Sequence, residues 1–360
     1  MTAAWDTVTR PLQPLFDGPL DIIGDVHGEW LALRNLLDQL GYDQHGEHRG
    51  GRRLIFVGDL CDRGPDSPGV VFFVRELVMR GVAQCVLGNH ELNILRNERK
   101  PGNGWYFADH PDHSRPEFSG ARRANLRERD TARIFVSTLP LALERTDLRV
   151  THAVWHDDSL RRVAAAAPAS TLDLYLAFEQ QILAAMPSSL ADAASAEKRR
   201  VGTALFDPAQ KVPFLPNLAL EDETYQMGNP IRVVSSGVER STAGRPFFAG
   251  GKWRMVERIP WWREYADDTP VIIGHYWRWY SREGQQRYAR DEEDLFAQAG
   301  PANWLDARER VYCTDFSVGA RFQEIRDGFA PGTYTRLAAV RWPEREVVFE
   351  NGERRALAPR

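Results

Sequence analysis

Cysteine is scarce. The 360 residues hold three, Cys61, Cys85 and Cys313, and no two form a CxxC pair. That excludes a zinc knuckle and a disulfide framework, and a low, odd count suits a reducing compartment. An excess of basic charge is also missing. Lys and Arg number 46 against 50 Asp and Glu, for a net charge of -4. The whole-molecule field therefore does not recruit a polyanion, and nucleic acid is not expected as a partner. The basic run Arg122, Arg123, Arg127 and Arg129 falls at helical spacing and reads as a solvated face. No apolar stretch approaches the ~18 residues of a membrane span, so no membrane partner is expected. Residues 1–19 lack a basic stretch followed by an apolar one and do not read as a secretion signal. A cytoplasmic location is the expectation. Low-complexity tracts are absent too. Hydrophobic residues at 43% and charged residues at 27% are ordinary for a globular chain long enough to bury a large core.

What is present is a repeated pattern in the first hundred residues. An apolar, β-type run ends in a polar cluster, and an amphipathic stretch follows. The runs are 19–24 (PLDIIG), 53–58 (RLIFVG) and 83–88 (AQCVLG), with helices expected at 29–40, 67–80 and from Glu91. Strands alternating with helices imply βαβ units and a parallel sheet, and continuous apolar strands imply helices over its face. Residues 98–120 lack periodicity and read as a long surface loop, which places His110 and His113 in solvent-facing positions. Residues 148–152 (LRVTH) form another short strand, 160–200 are Ala-rich and helical, and 205–230 are Pro-rich and irregular. Strand signals return at 232–235, 253–257, 270–273, 310–314, 334–342 and 347–349. Two sheets face to face with helices outside accommodate this order. The chain parses as one domain, 1–360, with a helical and irregular insertion at 155–230 that could cap a site.

Four strands end in potential metal ligands: Asp25 and His27, Asp59, Asn89 and His90, and His152; a fifth β run ends in His275. Parallel neighbours bring such ends to one edge of a sheet, where α/β sites form. A single Asp after a strand is usually a helix cap. Independent caps have no reason to recur as G-D-x-H-G, G-D-x-x-D-R-G and G-N-H-E, roughly thirty residues apart. Carboxylate, amide and imidazole donors without thiolate suit Mn, Fe or Zn. Asp25, His27, Asp59, Asn89, His152 and His275 are more than one ion needs, and Asp59, central in the order, is the candidate bridge. Two divalent ions ~3.5–4 Å apart share a water, and the resulting hydroxide attacks phosphorus in line.

The segments Gly24-Asp25-Val26-His27-Gly28, Gly58 to Gly64 and Gly88-Asn89-His90-Glu91 resemble the three signature motifs of the calcineurin-like metallophosphoesterases, in particular the phosphoprotein-phosphatase branch. The resemblance implies a four-layer α/β/β/α sandwich flanked by helices. It implies that Asp25 and His27 hold a first metal, that Asp59 bridges, and that Asn89, His152 and His275 hold a second. His90 would be the general acid, Asp62 would keep it protonated and oriented, and Arg63 would bind phosphate oxygens through its planar fork. Departures from the family pattern are Leu87 before G-N-H-E, Ala153-Val154 after His152, and Ile272-Ile273-Gly274 before His275. They thin the phosphate-binding arginines, for which Arg96 and Arg278 are substitutes. The expected activity is phosphomonoester hydrolysis of the protein serine/threonine phosphatase type, on a phosphorylated protein or a small phosphoester. Leu87 and the Gly-His context of His275 instead resemble diadenosine-tetraphosphatase relatives, so hydrolysis of dinucleoside polyphosphates is the alternative. Trp253, Trp261, Trp262, Trp277 and Trp279 crowd the last ligand and read mostly as packing, with a nucleobase platform as the other reading.

Overall fold

A computed structural model describes residues 11–288 and 294–359. Two β-sheets pack face to face. The first has six strands in the order Arg354–Ala356, Glu346–Phe349, Ala338–Trp342, Leu20–Ile23, Arg53–Phe56, Ala83–Cys85. The last three run parallel to one another, and Ala338–Trp342 runs antiparallel to Leu20–Ile23. The second has five strands in the order Leu12–Pro14, Ala142–Arg145, Leu148–Thr151, Val271–Ile273, Val311–Cys313, of which the last three are parallel.

The apolar runs separate by alternation, as the two-residue period of a strand requires. Leu20, Ile22, Ile55 and Val57 face Val150, Ile272 and Tyr312 across the gap between the sheets. Ile23, Leu54 and Phe56 join the outer cluster, which includes Leu33, Leu36 and Leu37 of the helix Trp30–Leu40 and Val70, Val71 and Val74 of Ser67–Met79. The first helix stops at Gly41, whose φ of 93° sends its N–H back to Leu37 and Asp38 carbonyls. The second starts where the Asp66 carboxylate accepts from Gly69 N–H at 2.8 Å. Val271, Ile273 and Val311 of the second sheet share the same outer cluster with Leu160, Ile231 and Val234 of helices beyond it. The layers are helix, sheet, sheet, helix.

Between Leu148–Thr151 and Val271–Ile273 the chain leaves the sandwich. It forms helices Asp157–Ala165, Thr171–Ala185, Ser188–Val201, Pro216–Gly228 and Pro230–Ser236, then two short hairpin-like pairs. Leu205, Leu215, Leu218, Trp253 and Met255 give this part a small core of its own. Three expectations are corrected here. Residues 216–228, expected irregular, are helical, because Pro216 stands in the first turn where its missing N–H costs nothing. Residues 232–235, expected as a strand from Val233 and Val234, are helical. Asn229 caps Ile231 and Arg232 N–H groups, and Pro230 sets the first φ. Residues 98–120 are packed down: Asp112 accepts from Gly102 and Gly104 N–H, and Trp105, Tyr106, Phe107 and His110 are buried. Among the described residues no helix is long and apolar enough to cross a membrane.

Candidate metal centre

The parallel strands Leu20–Ile23, Arg53–Phe56 and Ala83–Cys85 point their carboxyl ends the same way, as do Leu148–Thr151 and Val271–Ile273 in the facing sheet. Asp25, His27, Asp59, Asn89, His90, His152 and His275 lie just beyond these ends. The structure brings them together at one rim of the sandwich. His27, Asp59 and His90 form one group and Asp59, His152 and His275 a second, each with donor atoms within 4.8 Å of one another. Asp59 belongs to both. Its Oδ2 is 3.6 Å from His27 Nε2 and its Oδ1 is 3.3 Å from His152 Nε2. Asp25 Oδ2 is 3.9 Å from His27 Nε2. Asn89 Oδ1 sits between His275 Nδ1 at 2.8 Å and His152 Nε2 at 3.1 Å.

The second nitrogen of each of three imidazoles faces a main-chain carbonyl: His27 Nδ1 to Cys61 at 3.0 Å, His152 Nδ1 to Val57 at 2.7 Å, and His275 Nε2 to Ser236 at 3.0 Å. A carbonyl on one nitrogen fixes the proton there and turns the other nitrogen's lone pair inward, the outer-shell arrangement of metal-bound histidines. At His275 both nitrogens then face oxygen acceptors with one proton to share. Burial, the Arg258 charge and His152 also hold this imidazole well below its ordinary pKa, so it stays neutral. Lone pairs converging on lone pairs call for a cation between them. The carboxylates agree. Burial, with Asp315 and Asp59 nearby, pushes the Asp25 carboxyl well above its usual range. Burial acts the same way on Asp59, but His152, His90 and His27 outweigh it and hold that carboxyl well below. Burial pulls His152 down, yet the Asp59 charge and hydrogen bond raise it to about 10, so without an ion a proton on Nε2 supplies the positive charge that Asp59 calls for and that a bound metal would displace. The mixed nitrogen and oxygen donor set fits a divalent metal.

His90 stands at the rim with Nε2 3.9 Å from Asp59 Oδ2 and Nδ1 2.5 Å from Asp62 Oδ2. Arg63 places NH1 3.0 Å from His27 Nε2, and its guanidinium lies 4.6 Å from the centre of the Trp277 ring. Neither suggested substitute clamp is placed to help. Arg278 is buried and donates to the Cys313 and Asn303 carbonyls. Arg96 pairs with Glu98 and lies over Tyr175.

Several residues outside the donor set complete the centre. The Glu91 carboxylate accepts from Asp59, Leu60 and Gly88 N–H groups at 2.8, 2.8 and 3.1 Å, which binds the second motif loop to the third. Trp105 Nε1 donates to Asp62 Oδ1 at 2.6 Å. Buried Asp315 accepts from Trp277 and Ser317 N–H, both at 2.8 Å. Gly319 lies so close that an added Cβ would sit 2.3 Å from His27 Cδ2. Cys61 is buried, and its thiol donates to Glu91.

The model of the calcineurin-like phosphoesterase family matches residues 18–172, which include every site residue above up to His152. A bis(5'-nucleosyl)-tetraphosphatase PrpE (asymmetrical) of Halalkalibacterium halodurans is 51% identical over 79 residues, 21% of this chain and 32% of that protein. Its counterpart in Oceanobacillus iheyensis is 47% identical over 80 residues, 21% of this chain and 32% of that protein. The matches thus span about a third of these relatives' length. A cold-active protein-tyrosine phosphatase from a psychrophilic Shewanella is 14% identical, with 99% of this chain and 85% of that one aligned at a TM-score of 0.48.

Proposed function

We propose that this chain, whose residues 18–172 match the calcineurin-like phosphoesterases, is a metal-dependent phosphoester hydrolase that cleaves dinucleoside polyphosphates. The reading takes two divalent ions, Mn first with Fe or Zn as alternatives. The observation that carries it is the pair of buried donor groups meeting in one carboxylate, Asp59. When bound, two such ions lower the pKa of a shared water and offset the negative charge that develops on the phosphoryl oxygens. Asp25 and His27 hold one side, and Asn89, His152 and His275 the other. Arg63 orients the phosphoryl group through its planar fork. His90 donates the proton to the departing oxygen, and Asp62, 2.5 Å behind it, fixes which nitrogen carries that proton.

The names of the PrpE relatives and the Leu87 and Gly274-His275 contexts support the substrate class. The Asp62–His90 pair favours a second reading, a phosphomonoesterase of the protein serine/threonine type, because an ester with a poor leaving group needs a strong acid most. The three free thiols support a cytoplasmic location. The test is a side-by-side assay of the Mn-loaded protein on diadenosine tetraphosphate, phosphopeptides and p-nitrophenyl phosphate. The expected order of kcat/KM has the dinucleotide first; a phosphopeptide turned over ten times better would transfer the assignment to the second reading. In His90→Asn, metal content should persist while turnover falls ~10²–10⁴-fold.

A further inference from the structure

Beyond Arg63, away from the metal centre, lies a pocket of about 210 Å³. One wall is Arg63 and Trp277, and the other comes from the segment inserted between the sandwich strands: Glu239, Phe247, Arg254 and Arg258. Three guanidinium groups against one carboxylate give it a positive balance. Arg254 is matched, 3.2 Å from Glu239. Arg258 is not: among the described residues no carboxylate lies within ion-pair distance of it. It reaches the metal centre only through Tyr276, whose ring centre is 5.3 Å from that of His275, and its charge helps hold that imidazole below its ordinary pKa. The Arg258 guanidinium lies over the Tyr276 ring, 5.9 Å from the ring centre, and a half-buried guanidinium that meets an aromatic face but no anion leaves its fork open to a ligand that supplies one.

Backbone strain shapes the opposite wall. Arg63 and Trp277 have φ of 71° and 53°, a region that bulky residues enter only where the surroundings enforce it. The result is the Arg63–Trp277 stack, which turns one guanidinium edge to the metal centre and leaves the indole flanking the pocket.

We infer that this pocket binds the part of a polyphosphate chain next to the phosphoryl group under attack, with Arg258 gripping a non-scissile phosphate. The inference rests on the reading above that the centre handles a phosphoryl group. It names what that reading leaves open, the residues that prefer a chain of phosphates to a single one. The fork geometry of arginine suits two oxygens of one phosphate, and the pocket volume suits phosphate rather than a protein loop.

The experiment is calorimetric binding of tripolyphosphate and of inorganic phosphate, at fixed free Mn²⁺, to wild type, Arg258→Ala and Arg258→Lys. Wild type should bind tripolyphosphate at least ~10-fold tighter than phosphate. In Arg258→Ala that preference should collapse to about 2-fold, and Arg258→Lys, which keeps the charge but not the fork, should lie between. Adenosine triphosphate beside tripolyphosphate tells whether a nucleoside adds to the phosphate grip. If the preference survives Arg258→Ala, or if phosphate and tripolyphosphate weaken by the same factor, the assignment is overturned. Binding is read without turnover. A wild type that prefers tripolyphosphate but fails to cleave dinucleoside polyphosphates therefore sinks the proposed substrate, not the pocket. Should Arg258→Ala unfold, the Lys variant decides alone, since a preference equal to that of wild type refutes the fork.

Discussion

Replacing Asp62 by Asn separates the acid's support from its packing. Asp62 is fully buried, with one oxygen 2.5 Å from His90 Nδ1 and the other 2.6 Å from Trp105 Nε1. Trp105 Nε1 donates to the carboxylate, and His90 Nδ1 donates while it carries the proton. The oxygen of an Asn at this position can still accept from Trp105, and its NH2 can donate to Nδ1 once a neutral His90 ring carries its proton on Nε2. The packing is kept, and exchanging carboxylate hydrogen bonds for amide ones costs about 1 kcal/mol of stability. The loss of the carboxylate acts on chemistry instead. It removes the acceptor that fixes a proton on His90 Nδ1 and orients the ring, and general acids of this kind contribute ~10²–10⁴ in rate, about 3–5 kcal/mol of barrier.

The two effects are read apart with two esters and a second variant. Phenyl phosphate, whose leaving group needs the proton, should lose ~10²–10⁴ in kcat in Asp62→Asn. With p-nitrophenyl phosphate, whose leaving group departs as the anion, the loss should stay under about 10-fold. Trp105→Phe removes one donor and keeps the charge. It leaves a buried carboxylate oxygen without its donor and should cost about 1–3 kcal/mol in urea unfolding, yet lower kcat on phenyl phosphate less than ~10-fold. Equal losses on both esters in Asp62→Asn, or a Trp105→Phe loss as large as that of Asp62→Asn, would refute the assignment of His90 as acid and Asp62 as its support.

Asp59→Asn, at the one residue shared by both donor groups, should lower the bound metal from two equivalents to one or fewer by atomic absorption; two full equivalents would remove Asp59 from the bridge. Gly319→Ala puts a methyl against His27 and within 2.9 Å of Arg63 NH1. It should weaken loading on the His27 side alone, so metal titrations should show one affinity unchanged and one reduced; two unchanged affinities would contradict the packing argument. His156 caps the helix Asp157–Ala165 by accepting Ser159 N–H on Nδ1 at 3.2 Å, which a protonated ring cannot do. Burial holds its pKa below the ordinary 6.5, so the unfolded chain binds the proton more readily than the folded one. The cap's contribution is therefore present above pH 6.5 and lost as pH falls through the lowered value. Replacing it with Asn, a cap that does not titrate, should flatten that acid-side decline by about 1 kcal/mol in unfolding measured at pH 5 and pH 8; an unchanged slope would show that other groups cause it.

Where local sequence dictated geometry, the chain was readable. The runs before Asp25, Asp59 and Asn89 are apolar, short and glycine-ended, and a strand followed by a tight turn is what they form. Their parallel pairing then brings the three motifs to one rim. The helix Pro230–Ser236 shows the limit. Val233 and Val234 argue for a strand, but a cap from Asn229 and a proline in the first turn outrank two β-branched residues. Trp105 and Arg258 were not legible as functional, because their roles come from segments that meet only in the folded state. Asp315 had a signal. It follows the apolar strand Val311–Cys313 just as Asp25 follows Leu20–Ile23, and the lack of a glycine or histidine motif around it hid the parallel.

The clamps and the strain belong to one arrangement. Among the described non-glycine residues, those with positive φ include His27, Asp59, Asp62, Arg63, His275, Trp277 and Ser317, all at this rim. A left-handed φ in a non-glycine residue costs about 1–3 kcal/mol and persists only where the surroundings enforce it. Four of the seven donate their own N–H to a buried carboxylate: Asp59 to Glu91, His275 to Asp25, and Trp277 and Ser317 to Asp315. A buried hydrogen bond contributes about 0.5–1.5 kcal/mol, and more to a charged acceptor, which offsets much of the strain at these four residues. Burial alone would make Glu91 and Asp315 poor choices, and it does push both carboxyls up. Their place is explained by the turns they hold. Strand ends that relaxed to ordinary φ would swing His27, Asp59 and His275 out of reach of a common ion. The acids that bind no metal are thus as much a condition of the centre as the side chains that would.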